Sequence, residues 1–148
     1  GRARMRASGN TEQWTNGYPH RYMIEEDVKL GRSYVYEEDG VIRAVLALIW
    51  GEDPTYAAID GAWLSGKTPY GTIHRIASDG TVKGLVAMAR DFGRNFIDEI
   101  RIDTHHDNHT MQHVVTKNGF KRCGIIYLEN GDPRIAYQWS KETEHENI

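Results

Sequence analysis

The sequence predicts a mixed α/β domain, a central mixed sheet with helices on both faces, and three observations carry that expectation. Residues 101–120 read as strand, polar turn, short helix, glycine stop and new strand. Ile100 and Ile102 alternate with Arg101 and Asp103 as in a half-buried strand, Asp107 or Asn108 offers an N-cap, and Asn118-Gly119 offers a left-handed C-terminus. Val82, Leu85, Val86, Ala89 and Phe92 recur with the clearest helical period in the chain, and Gly93 stops it. Asp39-Gly40 and Asn130-Gly131 are hairpin signals between apolar runs.

Taken in order, residues 1–9 read as the tail of a helix whose start is absent. Arg2, Ala3, Arg4, Met5 and Ala7 are helix formers, and Ser8-Gly9-Asn10 is a stop. With no strand ahead of it the sheet would keep an open edge, so a homodimer is expected to cover it. Residues 11–19 are a loop rich in Gly, Asn and Pro that carries Trp14 and Tyr18. Residues 20–30 predict a helix with Tyr22/Met23, Glu26/Asp27 and Leu30 as its amphipathic pattern, ended by Gly31. Strands follow at 33–38 and 41–50, the second almost wholly apolar and therefore central. Residues 51–69 hold Tyr56 and Trp63, which fits a structured flap because disordered segments are poor in aromatics. A strand over 70–78 ends at Asp79-Gly80, and the helix from Val82 follows. In the next helix Met111, Val114 and Val115 form the apolar stripe, onto which Phe120 folds back. Strands at 120–128 and 134–139 make the last hairpin, before a frayed acidic tail.

A chain of 148 residues predicts one domain with a real core. A net charge of −3 gives no bias toward nucleic acid, and no apolar run approaches the ~20 residues of a membrane helix. Cys123 is the lone cysteine, so an internal disulfide is out and a reducing cytoplasm is the expected setting.

Asn108, Lys117, Gly119 and Phe120 carry a family resemblance. They match the pattern N-x-x-A-x-x-L-Y-x-K-x-G-F, with Met111 for Ala, Val114 for Leu and Val115 for Tyr. The run resembles the fourth-helix motif of the GNAT superfamily of N-acyltransferases, and the element order resembles that family along nearly the whole chain, the first strand apart. The resemblance implies a single GNAT-like domain over residues 1–148. It would move an acetyl group from acetyl-CoA to an amine of a small molecule or peptide. A non-catalytic acyl-CoA-binding or regulatory domain of the same fold is the alternative.

The resemblance also implies roles. The family's pyrophosphate motif, R/Q-x-x-G-x-G/A, falls on residues 83–88, where Lys83 keeps the charge, Gly84 is present, and Val86 and Met88 replace glycines. Backbone N–H groups there would hold the phosphates. The strand end Ile76-Ala77-Ser78 would align the pantetheine, with Asn108 at the opposite lip. Family enzymes often use a carboxylate or an ordered water near the middle of the strand over 70–78; this strand has no carboxylate, but it has His74, a residue type whose ordinary pKa of about 6.5 suits a base at neutral pH. Period-two alternation puts His74 on one face with Thr72, Ile76 and Ser78. Val115 cannot protonate a leaving thiolate as the family Tyr does, and the loop of Trp14 and Tyr18 would wall the acceptor site.

His105, His106, His109 and His113 offer a competing signal, because 105/109 and 109/113 are i, i+4 pairs and Asp103 or Asp107 could add an oxygen. Without H-E-x-x-H or a cysteine pair the default is a solvated polar face with no metal, and a small metal-binding protein is the third reading.

Overall fold

The computed structural model describes residues 3–9, 21–66 and 69–142, the side chain of Arg21 excepted. The elements are β1 (Ala3–Ala7), α1 (Arg21–Lys29), β2 (Ser33–Glu38), β3 (Val41–Trp50), β4 (Asp60–Gly61), β5 (Gly71–Ser78), α2 (Leu85–Gly93), β6 (Glu99–Thr104), α3 (His109–Lys117), β7 (Lys121–Tyr127) and β8 (Pro133–Ser140). The strands join in one mixed sheet, β1-β2-β3-β5-β6-β8-β7-β4. β5 and β6 run parallel and the other registered pairs antiparallel. The mixed α/β class expected from the sequence is the class observed.

The first strand is present. Residues 3–7 are extended and pair with β2 from Ala3↔Glu38 to Ala7↔Tyr34, so reading them as a helix tail was wrong. Arg6 Nε lies 2.7 Å from Glu37 Oε2, and Arg4 Nη2 lies 3.6 Å from Oε1. A complete ladder with these pairs outweighs helix preferences of only a few tenths of a kcal/mol per residue. β1 lies along the outer side of β2, and the homodimer expected from an open edge there loses its premise.

By its contacts the chain divides into two compact units, Gly1–Ile49 with Ile73–Phe92 and Trp50–Thr72 with Gly93–Ile148. In the first, Ile24, Val35 and Val45 form a buried cluster joined by Val28, Ile42 and Ala77. Ala44 to Leu48 are at most 2% exposed, as the apolar run predicts. Asp39 (φ 51) and Gly40 (φ 82) both take the positive φ of a type I′ hairpin turn. α1 buries a different face from the expected one. Tyr22 and Leu30 are 70% and 54% exposed, while Ile24 and Asp27 are buried. The helix does end at Gly31, where Gly31 N–H bonds Val28 O and Arg32 N–H bonds Asp27 O, the paired bonds of a Schellman stop.

In the second unit α3 forms as its sequence indicates. Asn108 is the N-cap and accepts from Met111 N–H at 3.1 Å. Gly119 takes φ +86, Phe120 N–H reaches Val115 O at 3.0 Å, and both side chains are buried. β6 departs from its alternating pattern, because Glu99, Ile100, Arg101 and Ile102 are all buried. The Glu99 carboxylate accepts from Gln138 Nε2 at 2.8 Å and Ser140 Oγ at 3.0 Å, which satisfies it on the β8 side.

Candidate active site

The second unit contains a pocket of about 470 Å³ lined by Glu52, Asp53, Tyr56, Trp63, Tyr70 and Arg101 among others. Its wall is the connection after β3, and each turn of that connection is tied down. Asp53 caps the 3-10 turn Pro54–Tyr56 by accepting from Thr55 N–H at 2.9 Å, and its own N–H donates to Tyr70 Oη at 2.7 Å. The Tyr56 hydroxyl donates to Asp103 Oδ2 at 2.5 Å. Trp63 Nε1 donates to Tyr56 O at 3.1 Å, and Leu64 N–H to Gln138 Oε1 at 3.1 Å. The structured flap read from the aromatics is therefore present in its described part, residues 51–66.

Arg101 projects from β6 into this wall and is 4% exposed. Its guanidinium lies between two rings, 3.9 Å from the Trp63 centroid and 3.7 Å from that of Tyr70. Nη2 donates to Ser65 O at 3.0 Å. Nε is buried without a partner. Burial pulls the Arg101 pKa below its usual value, partly offset by Tyr70. Burial, then the charge of Asp103, pushes the Tyr56 hydroxyl well above 10, so it stays a protonated donor and carries no acid–base step near neutral pH. Glu52 and Asp53 in the lining suit a cationic amine.

In the first unit β5 carries His74, Ile76 and Ser78, all half-buried. Arg75 between them takes φ 51, a left-handed conformation within the strand, so the alternation that aligned His74 with Ile76 and Ser78 does not carry across it. Ser78 Oγ accepts from Gly80 N–H at 3.2 Å. Lys83 and Gly84 are exposed, and Gly84 takes φ +72 with nothing near its missing Cβ. Its carbonyl accepts from Met88 N–H at 3.0 Å, so the N–H groups of the turn ahead of Met88 have no intrahelical acceptor and fit an anionic phosphate. Val86 is 3% exposed, which leaves only its backbone for such a contact.

Asn108 belongs to the second unit, with its Oδ1 engaged by Met111. Val115 is fully buried. Trp14 and Tyr18 lie outside the described residues; the aromatic wall that the structure describes is made by Tyr56, Trp63 and Tyr70. Sequence reading missed Arg101, Glu52, Asp53 and Tyr70 as a group. A basic residue inside an apolar strand, together with an aromatic-rich connection, was the available signal. His74→Ala is expected to lower turnover about 10²-fold with coenzyme A affinity little changed. A lower thermal midpoint with turnover per folded molecule intact would assign His74 to packing instead.

The histidines gather differently from their i, i+4 spacing. His105, His106 and Asp107 are the group with metal-ligating atoms within 4.8 Å of one another, all exposed in the turn before α3. The His105 and His106 rings stack at 4.3 Å, and His105 Nδ1 accepts from Asp107 N–H at 3.0 Å.

No protein-family model and no curated protein matches the chain. Among solved structures it is similar to a GNAT-family acetyltransferase from Streptococcus agalactiae 2603, at 30% identity and a TM-score of 0.80, over 94% of this chain and 95% of that one. The fold is also that of an aminoglycoside N(6')-acetyltransferase from Legionella pneumophila, at 15% identity and a TM-score of 0.68, over 99% and 96% of the two chains. An AAC(6')-Ib in complex with paromomycin and acetyl-CoA is similar at 16% identity and a TM-score of 0.67, over 97% and 96%. The first of these spans nearly the full length of both chains at an identity that goes beyond shared fold. The chain belongs to the GNAT family of acetyltransferases.

Proposed function

We propose that this acetyltransferase, acting as a single domain, moves the acetyl group of acetyl-CoA to an amine of a small molecule or peptide held in the pocket of the second unit. The observation that carries the acceptor assignment is the pocket itself: Glu52 and Asp53 in its lining attract a cation. The neutral amine attacks the thioester carbonyl carbon, a C–N bond forms, the C–S bond breaks, and coenzyme A leaves as its thiolate. A base must take the proton that the amine sheds, and His74 of the first unit is the candidate. Val115 offers none in return, so solvent reprotonates the thiolate; thiols have a pKa of about 8.5 and leave without a dedicated acid. In the first unit Lys83 and the N–H groups of residues 84–87 hold the pyrophosphate and Ile76 and Ser78 align the pantetheine; in the second unit Asn108 is the further candidate for a cofactor contact. A lone cysteine, and no helix among the described residues long and apolar enough to cross a membrane, fit action in the cytoplasm.

The test is thiol release from acetyl-CoA across a panel of amines. Binding of acetyl-CoA with no turnover on any amine would favour the non-catalytic reading of the same fold. Gly84→Pro is expected to weaken coenzyme A binding about tenfold or more, because proline cannot take φ +72 and removes an N–H. Calorimetry on variant and parent, with thermal midpoints alongside, measures it. No binding by the parent at millimolar coenzyme A would remove residues 83–88 from the cofactor site.

A further inference from the structure

We propose that the acceptor amine also carries a carboxylate, and that Arg101 is the residue that binds it. The inference rests on reading the pocket of the second unit as the acceptor site and names the class of acceptor. Arg101 stays charged in proteins and is among the residue types least often buried without an opposite charge. Here it is 4% exposed, and among the described residues no carboxylate forms an ion pair with it. Its protein partners are the Ser65 carbonyl, the Tyr70 hydroxyl and the two ring faces, while Nε has none. Ring stacking fixes the plane of the guanidinium, and the donors that Ser65 O and the Tyr70 hydroxyl leave unused can recognise a planar anion.

The surroundings select among anions. Glu52 and Asp53 line the same pocket, so a purely anionic ligand meets repulsion. A molecule with an ammonium and a carboxylate satisfies both ends: the carboxylate on Arg101, the ammonium toward the two acidic side chains. The acceptor is thus a zwitterion of the amino-acid type, small enough for about 470 Å³. The competing account is that Arg101 only clamps the flap through Ser65 and Trp63, and it predicts no preference for acids.

Matched probes decide between these accounts: L-amino acids and their carboxamides, used as acceptors with acetyl-CoA and as binding probes in calorimetry without it. The parent is expected to favour the acid about 100-fold in kcat/KM and in affinity, the scale of a charge-assisted bond in a buried site. In Arg101→Met that acid-to-amide ratio should collapse toward one, and Arg101→Lys should restore part of it. Amides accepted and bound as well as acids by the parent overturn the carboxylate assignment while the acetyltransferase reading stands. Should no amine be turned over, the calorimetric acid-to-amide ratio of the parent still decides the inference, and a ratio near one overturns it. The parent comparison needs no variant, so a misfolded Arg101→Met does not blunt the test.

Discussion

Asp27→Ala is expected to cost about 3 kcal/mol of folding stability, the lower end for removing one partner of a buried ion pair. Asp27 is 3% exposed, and its carboxylate serves two guanidiniums. Oδ1 accepts from Arg32 Nε at 2.7 Å and Arg75 Nη2 at 2.6 Å, and Oδ2 accepts from Arg75 Nε at 2.7 Å. The fork on Arg75 also holds that residue at φ 51, a conformation costing a non-glycine residue about 1–3 kcal/mol. Without the carboxylate two cations converge on an empty site; their side chains are 29% and 20% exposed, so water recovers part of the loss. Burial alone would raise the Asp27 carboxyl, but the bonds and charges of Arg75 and Arg32 outweigh it and hold it below the ordinary 3.8. A folded value lower than the unfolded one means the contribution is complete above pH 3.8 and disappears as pH falls through the folded value. Asp27→Asn, with no proton to bind there, should flatten that acid limb. Urea midpoints at pH 7 and pH 3 measure both effects. A loss under about 1 kcal/mol at pH 7, the ceiling for an exposed pair, would mean the network does not hold β5 to α1.

What could be read from the sequence was mostly what neighbouring residues decide. The α3 cap at Asn108, the stop at Gly119 and the turn at Asp39-Gly40 each depend on groups within a few residues, and each formed as read. The misses share a longer range. β1 is a strand because Arg6 meets Glu37, 31 residues on, and helix propensity carries no knowledge of that partner. α1 turns Ile24 and Asp27 inward and leaves Tyr22 and Leu30 exposed, and Asp27 can face inward because Arg75, 48 residues away, neutralises it. Arg101 was assigned to the wet face of β6 by alternation, but Trp63 and Ser65, contributed by the flap, cover that face. Period two says which residues share a face; what lies over the face is settled by a segment some 36 positions earlier. The proposed acceptor pocket was therefore legible only in its parts, as aromatics in a long connection and as one basic residue in a strand.

Gly124→Val is expected to open the flap. β4 meets β7 at two registered positions, Asp60↔Ile125 and Gly61↔Gly124, with Ala62 N–H on Cys123 O at 3.1 Å. The two glycines let the backbones approach closely: a Cβ on Gly124 would sit 2.2 Å from Asp60 O, and one on Gly61 2.2 Å from Cys123 O. Both neighbours are main-chain carbonyls, so no rotamer change relieves the overlap. Gly124 also takes φ +152, where a β-branched residue is strained. Overpacking costs about 1–3 kcal/mol and the strained backbone a similar amount, so a ladder that stays shut would lose about 3 kcal/mol or more. Giving up two or three backbone hydrogen bonds at about 1 kcal/mol each is no more costly, and water can replace them at an edge strand. The ladder should therefore part instead of the chain unfolding. Trp63 and Ser65 would then lose part of the anchorage that keeps them over Arg101, with the bonds to Tyr56 O and Gln138 left to hold the segment. The expected result is a modest drop in thermal midpoint, fast hydrogen exchange at Gly61 to Leu64, and an acceptor KM raised tenfold or more, taking about 1.4 kcal/mol of lost positioning as the minimum. Coenzyme A affinity should stay near the parent's, because the proposed phosphate contacts at residues 83–88 belong to the first unit. Fast exchange at Gly61 to Leu64 with a normal acceptor KM would dissociate the flap from acceptor binding. Unchanged exchange there would show that the close approach of β4 and β7 relaxes without parting.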